Sequence, residues 1–91
     1  MNQAGWRRFI KLCLTIKNEK MFAILLDLFL TPEERESIAT RLLIVLALLE
    51  QKKSQREIAE ALHVSIAKIT RGSNELKHTP AQLIALLKKY I

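Results

Sequence analysis

Eight consecutive apolar residues, Leu42 to Leu49, restrict the fold of this chain more than any other feature. They follow Thr31-Pro32-Glu33-Glu34, a pattern typical of a helix start, with threonine as N-cap, proline at the first helical position and acids in the first turn. We therefore predict one long helix from this start to about Gln51. Eight apolar residues wrap such a helix on every side, so this stretch must be buried all round.

A short chain has difficulty meeting this requirement alone. The sequence has 91 residues, and a chain of that size buries only a modest fraction of its surface by itself. Hydrophobic residues make up 49%, with only two Gly and two Pro, which favours an all-α fold over a disordered chain or a repeat array. We predict a single domain over residues 1–91 and a dimer whose core is shared between two chains.

Other helices are predicted on both sides of the long one. Residues 5–17 have apolar side chains on one broad face and basic side chains on the other, and residues 21–30 are almost wholly apolar. The expected break between these two helices is residues 18–20. Near the end of the chain, Thr79-Pro80 repeats the capping pattern of the long helix and predicts a last helix that closes with Tyr90.

Between the long helix and the last one, residues 54–76 predict a helix-turn-helix. Ser54 and Glu57 have the spacing of a capping box at the start of the first helix, and Ser65 is a suitable N-cap for the second. Small and apolar residues let the two helices cross closely: Ile58, Ala59, Leu62, Val64 and Ile69. His63 stands where the turn often has glycine, and a left-handed backbone there costs such a residue about 1 kcal/mol. A plain helical hairpin would show part of the same pattern.

Charge is unevenly distributed along the chain. The formal net charge is +6, but residues 21–51 contain five acidic and only two basic side chains. Residues 52–77, around the helix-turn-helix, contain six basic and three acidic side chains. A basic surface favours a polyanion such as DNA, although without the motif a solvated charged face would explain this charge equally well.

Catalysis, metal binding and a cofactor are not expected. His63 and His78 lack metal-ligand spacing, and no nucleophile is paired with a base. The lone Cys13 excludes a disulfide framework and fits a reducing cytoplasm. No segment approaches the ~20 apolar residues needed to span a bilayer, and basic residues interrupt the N-terminal apolar stretch, unlike a secretory signal. We expect a soluble cytoplasmic protein that is not an enzyme.

The chain also contains three distinctive stretches, which are LTPEERESIATR at 30–41, SQREIAEAL at 54–62 and IAKITRGSNELK at 66–77. At these separations they resemble the tryptophan (Trp) repressor family, and WRRF at 6–9 extends the similarity over nearly the whole chain. The resemblance implies an all-α, six-helix Trp-repressor-like fold with a helix-turn-helix, assembled as an intertwined homodimer. It also implies a transcriptional repressor that binds palindromic operator DNA when L-tryptophan is bound as corepressor.

The resemblance implies a ligand site, residue by residue. Arg41 and Arg71 match the two arginines that sandwich the indole ring of L-tryptophan. A guanidinium suits this role because it stacks on aromatic faces and pairs with carboxylates. From the partner chain, Thr31 and the backbone carbonyls of Leu28 and Leu30 would complete the amino-acid end of the pocket.

Other positions match the lining of the same pocket. Gly72 would leave room for the ligand beside the helix, and Val45 would line the pocket. Each residue also has a plainer interpretation, since an isolated arginine is more often ion-paired or solvated. Thr31 is already explained as a helix cap, and Val45 as part of the core.

Two positions depart from the family pattern. Glu75 stands where a small hydroxyl residue is usual near the ligand's ammonium group, and Lys68 stands where many members have a small polar residue. The Glu75 carboxylate would pair with the ammonium group, or compete for the guanidinium of Arg71 four residues away. Ligand affinity and ligand identity both depend on which of these occurs.

The predicted DNA contacts divide into two groups. Side chains at the start of the second motif helix are placed for base edges and bridging waters: Ser65, Ile66, Ala67, Lys68 and Thr70. Other polar side chains of the motif are better placed for phosphates: Gln55, Arg56, Ser73, Asn74 and Lys77. Few of these can contact a base with two hydrogen bonds, so we expect water-mediated and shape readout, of which Trp repressor is itself a known example.

Two alternatives remain open. A related helix-turn-helix regulator that responds to another small molecule, or to none, would keep the DNA binding. A helical interaction module would bind protein instead of DNA. Strong weakening by added salt separates DNA binding from protein binding, and calorimetry with L-tryptophan separates the two regulators.

Overall fold

The computed structural model describes residues 2–91. Six α-helices and no strand occur within the described residues, in the order α1 Gln3–Thr15, α2 Glu19–Phe29, α3 Pro32–Glu50, α4 Gln55–Leu62, α5 Ile66–Leu76 and α6 Ala81–Lys88. The predicted all-α class with six helices is confirmed.

The first two helices start earlier than predicted because asparagines cap them. The Asn2 side chain accepts a hydrogen bond from the backbone N–H of Gly5 at 2.8 Å, and Asn18 accepts one from Met21 at 2.9 Å. Asparagine is among the preferred N-cap residues. Each helix therefore begins two residues before the apolar pattern does.

Reciprocal capping boxes begin α3 and α4, as predicted. The N–H of Glu34 donates to the Thr31 hydroxyl at 3.1 Å, and the Thr31 N–H donates to the Glu34 carboxylate at 2.8 Å. Ser54 and Glu57 repeat the arrangement at 3.1 and 2.8 Å. Each box provides partners for two backbone donors that a helix start leaves unpaired.

The predicted capping of α6 is wrong. Pro80, not Thr79, is the N-cap residue, and no side chain caps this helix. The Thr79 hydroxyl instead donates to the Glu75 carbonyl at 2.9 Å, near the end of α5. Gln82 has the spacing of a capping-box partner for Thr79, but no hydrogen bond forms this box. The helix also ends at Lys88, so Tyr90 lies in the turn that follows.

The chain forms two compact units, residues up to Arg35 and residues 36–91. In the first unit the Phe9 ring stacks on Trp6 at 5.9 Å between centroids and meets the Phe29 ring edge-on at 5.3 Å. An ion pair of 2.6 Å joins Arg35 to Asp27. Neither α1 nor α2 contains a buried residue.

The second unit holds the small core of the chain. Its buried residues come from α3, α4 and α5: Ile44, Ile58, Ala59 and Ile69. Half-buried residues surround them: Ala47, Leu48, Leu62 and Val64. Of the apolar run in α3, Ile44 alone is buried, whereas Leu42 and Leu43 are 45% and 52% exposed. One chain therefore does not bury this run all round.

None of the described helices combines the length and the apolar character that crossing a membrane requires. The prediction of a single domain over residues 1–91 stays a prediction.

Replacing Glu57 with glutamine should reduce the acid sensitivity of the fold. The Ser54 backbone N–H and, secondarily, its hydroxyl hydrogen-bond the Glu57 carboxylate and hold the pKa of Glu57 below its ordinary value of 4.5. Because the folded-state pKa is the lower one, this stabilisation is complete above the unfolded-state pKa and is lost as the pH falls through the folded-state value. Glutamine keeps an acceptor oxygen but does not titrate.

We expect Glu57→Gln to lose less free energy of unfolding than the unmodified protein between about pH 6 and about pH 3. Urea unfolding followed by circular dichroism at each pH measures this. Glu60→Gln, on the same helix and outside the capping box, is the control. Equal acid sensitivity of both variants would show that the capping box contributes nothing to the pH dependence.

Candidate nucleic-acid interface and ligand site

The helix-turn-helix is built on direct packing of α4 against α5. Ile58 of α4 and Ile69 of α5 are fully buried, at 1% and 0% exposure. His63 ends α4 in the left-handed conformation, with φ 56° and ψ 44°, as the turn requires. The N–H of Val64 donates to the Ala59 carbonyl at 3.0 Å, which closes the turn. The predicted motif is confirmed in its helices, caps and turn.

The start of α5 presents side chains to solvent. The Ser65 hydroxyl caps the helix and accepts from the N–H of Lys68 at 3.4 Å. Ile66 is 50% exposed, and Ala67 and Lys68 are also exposed. These residues occupy the helix end that enters the major groove in helix-turn-helix proteins.

A side-chain hydrogen bond joins the two motif helices on this exposed side. The Thr70 hydroxyl of α5 donates to Oε1 of Gln55, the first residue of α4, at 3.0 Å. Both residues are predicted to contact DNA, but no local pattern indicates that they contact each other, because they are 15 residues apart. The bond therefore holds Gln55, a predicted phosphate contact, against Thr70, a predicted base contact.

The remaining predicted phosphate contacts lie at the edges of the motif. Arg56 is exposed at the second position of α4, and Ser73 is half-buried in α5. Lys77 follows the last residue of α5, where its ammonium nitrogen lies 3.5 Å from Oδ1 of Asn74. These positions suit backbone contacts because they are polar and, except for Ser73, exposed.

The second motif helix also approaches α3, and Gly72 is the point of contact. A Cβ atom at position 72 would lie 3.2 Å from Cγ2 of Ile44 and 3.5 Å from Cδ1 of Leu48. The first distance is tighter than most Cβ contacts, so a side chain at position 72 would require the Ile44 side chain to move by a few tenths of an ångström. Helix packing therefore explains this glycine, and its role beside a ligand stays a prediction.

The two arginines predicted to bind the ligand lie close in sequence to the residues of this contact. Arg71 precedes Gly72 in α5, and Arg41 precedes Ile44 by three residues in α3. Both are exposed, and the ion pairs found within residues 2–91 involve neither of them. Within residues 2–91, Arg71 and Glu75 do not form an ion pair with each other. Val45 is half-buried beside Ile44.

The other predicted ligand residues lie in the first unit. Leu28 is 76% exposed near the end of α2, and the N–H of Leu30 closes that helix by donating to the Leu26 carbonyl at 2.8 Å. The Thr31 hydroxyl is engaged in the capping box of α3. Their approach from a partner chain stays a prediction.

Among residues 2–91, no group of histidine, cysteine, aspartate and glutamate side chains is arranged to hold a metal ion.

Comparison with known proteins assigns the family. The sequence profile described as "Trp repressor protein" matches residues 4–91. The chain belongs to the Trp repressor family. Like other members, it is a DNA-binding transcriptional repressor and not an enzyme.

Several proteins named "Trp operon repressor homolog" are similar to this Trp repressor family member. The Chlamydia caviae protein is 51% identical over 87 residues, covering 96% of this chain and 86% of the relative. A protein of Chlamydia trachomatis serovar L2 is 47% identical over 89 residues, covering 98% and 95%. The Photobacterium profundum protein is 43% identical over 88 residues, covering 92% and 85%.

We expect the hydrogen bond between Gln55 and Thr70 to stabilise the helix-turn-helix of this Trp repressor family member. Gln55→Ala and Thr70→Val, combined in a double-mutant cycle, should show a coupling of about 0.5 to 1 kcal/mol, typical of a net hydrogen bond. Urea unfolding measures it. The control pairs Gln55→Ala with Thr79→Val, whose hydroxyl bonds elsewhere, and should be additive. Additivity in both cycles would mean that the bond contributes no stability.

Proposed function

We propose that this repressor binds a palindromic operator as a homodimer when L-tryptophan is bound as corepressor, and that it acts in the cytoplasm. The observation that carries the proposal is the pair of exposed, unpaired guanidinium groups of Arg41 and Arg71 beside the contact of α3 with α5. Within the described residues neither arginine has an ionic partner, although the chain has nine carboxylate side chains. Two guanidinium groups without ionic partners, next to an apolar helix contact, suit a ligand that has both an aromatic ring and a carboxylate.

Tryptophan supplies a chemical match to each feature. Its indole ring presents two faces on which guanidinium planes stack, and its carboxylate accepts two hydrogen bonds from one guanidinium. Its ammonium group would meet the carboxylate of Glu75, which lies one helical turn after Arg71. In this site Val45 would contact the ring, while Thr31 and the carbonyls of Leu28 and Leu30 would come from the partner chain.

The case for a homodimer rests on apolar surface that one chain leaves exposed. In α2, Met21, Ile24 and Leu28 are 60%, 61% and 76% exposed. Their spacing of three and four residues puts them on one helix face. Leu42 and Leu43 of α3 are exposed as well. Clustered apolar side chains of this kind mark interaction surfaces more often than free monomer surface. A second copy covers such faces by symmetry.

The arrangement also provides a switch. A ligand held by one arginine of α3 and one of α5 would favour a particular orientation of α5, the helix that reads DNA. Because binding free energies are linked, operator DNA would tighten ligand binding by the same factor. Two such helices in a dimer would lie about one DNA turn apart, ~34 Å, as in helix-turn-helix repressors, of which Trp repressor is a known example.

Glu75 is the observation that favours a second candidate function. Its carboxylate adds a negative charge beside Arg71, which would weaken the binding of an anionic group and favour another ligand. A regulator controlled by a different small molecule, or by none, would keep the same DNA interface.

Calorimetry with L-tryptophan tests the corepressor. We expect saturable binding to the unmodified protein and binding at least ten-fold weaker for Arg71→Ala. The substitution removes a stacking face and a charge-assisted contact of about 1.5 to 3 kcal/mol, and about 1.4 kcal/mol corresponds to ten-fold. Arg56→Ala, an exposed arginine of α4, should leave tryptophan binding unchanged. A protein that ignores tryptophan yet binds one DNA sequence selectively would establish the second candidate.

The same titration with Glu75→Ser tests the role of the Glu75 carboxylate. We expect tryptophan binding to be retained or improved, because serine still accepts a hydrogen bond from the ammonium group and removes a negative charge one helical turn from Arg71. If this variant loses binding entirely, Glu75 is an essential ammonium partner.

Sedimentation at micromolar concentration tests the homodimer. We expect twice the chain mass and a melting temperature that rises with protein concentration, because association stabilises only the folded state. Ile24→Glu should lower the melting temperature or the mass by placing a charge on the apolar face, whereas Lys20→Glu, on the same helix, should have little effect. A folded monomer with a melting temperature independent of concentration would rule out the shared core.

A further inference from the structure

The side chains at the start of α5 differ in what they can still offer to a base. Ile66 and Ala67 present only carbon atoms. The Thr70 hydroxyl already donates its hydrogen to Gln55 at 3.0 Å, so its oxygen is left to accept. Ser65 keeps one hydroxyl hydrogen while it caps the helix. A single hydroxyl group can hydrogen-bond to any of several base types, so it discriminates poorly among them.

Lys68 is the exception in this group. Its ammonium group has three donors and no acceptor, and within residues 2–91 it forms neither an ion pair nor a side-chain hydrogen bond. The residue is exposed at the third position of α5. Its backbone is held in place, because its own N–H donates to the cap residue Ser65 and the next residue, Ile69, is fully buried. The flexible four-carbon stem thus starts from a fixed point on the helix end that faces DNA.

Guanine is the base that matches such a group. Its major-groove edge presents two acceptors, N7 and O6, whereas adenine presents one acceptor, N7, beside an amino donor and cytosine presents an amino donor, and an ammonium group cannot accept a hydrogen bond from either amino group. Thymine presents only one acceptor beside its methyl group. The neighbouring methyl groups of Ile66 and Ala67 suit thymine methyls, so they do not compete for the guanine.

From this chemistry we propose that Lys68 reads a guanine in each operator half-site by direct hydrogen bonding to O6 and N7. The inference rests on the proposed operator binding and adds a base-specific contact to a readout otherwise made of water bridges and DNA shape. Lys68 is then the residue that sets the sequence preference of this repressor at one position of the half-site.

The competing role for Lys68 is a phosphate contact. A phosphate contact strengthens binding to every sequence alike and adds about one unit to the salt dependence, whereas a base contact adds preference at one position. Arg56 provides the matched comparison, because it is exposed and basic but lies at the start of α4. The two residues should therefore give opposite patterns.

The experiment selects binding sites from random duplex DNA, with and without L-tryptophan. It uses the full chain, Lys68→Ala, Lys68→Arg and Arg56→Ala. We expect the unmodified protein to select a symmetric site with one invariant guanine in each half. Lys68→Ala should lose the preference for that guanine by roughly ten- to hundred-fold, and Lys68→Arg should keep it. Arg56→Ala should bind all duplexes more weakly, with a lower salt slope and unchanged preference.

A chemical change in the selected DNA completes the test. Replacing the invariant guanine with 7-deazaguanine removes the N7 acceptor, so it should weaken binding of the unmodified protein and not of Lys68→Ala. The inference is overturned if Lys68→Ala keeps the guanine preference and loses affinity uniformly, which marks a phosphate contact. It also fails if neither condition selects any sequence. If the protein selects the same sequences equally well without tryptophan, then tryptophan is not its corepressor. The comparison of the Lys68 variants still tests the guanine contact in that case.

Discussion

The close contact of α5 with α3 at Gly72 is the constraint on which the rest of the DNA-reading unit depends. Because position 72 has no side chain, the backbone of α5 approaches Ile44 to a distance that a Cβ atom would make tight. This contact joins the second helix of the helix-turn-helix to the long helix that carries Arg41. In the proposed function, a molecule bound between the two arginines would therefore act directly on the orientation of α5.

The motif helices depend on tertiary packing for their stability. At eight residues, α4 is too short to be stable alone in water, since isolated helices below about 12 residues are marginal. The buried pair Ile58 and Ile69 holds it from the inside, and the hydrogen bond between Gln55 and Thr70 holds it from the exposed side. The core has only four buried residues within the described chain. Because so little packing holds the helix-turn-helix, we expect its stability to depend on the molecules that bind to it.

Local patterns predicted most of the elements, and long-range contacts were the part that sequence could not provide. The caps at Thr31, Ser54 and Ser65 are correct because an N-cap hydrogen bond joins residues only three apart. The cap at Thr79 is wrong for a local reason, because its hydroxyl bonds back to the Glu75 carbonyl four residues earlier, an alternative that competes with capping. Gly72 meets Ile44 across 28 residues of chain, so its packing role was invisible. The ligand residues depended wholly on the family resemblance, because single arginines have no local signature.

The charges of the proposed ligand site bear on the kind of ligand that it would select. Two guanidinium groups alone would favour any flat anion, such as an indole acid without an amino group. Glu75 changes that balance, because a carboxylate one turn after Arg71 repels a second carboxylate and attracts an ammonium group. An amino acid carries both charges and pairs with both partners at once, whereas a simple indole acid leaves Glu75 without a cation. In the proposed site, Glu75 would therefore raise the selectivity for a zwitterion, whatever its effect on the affinity.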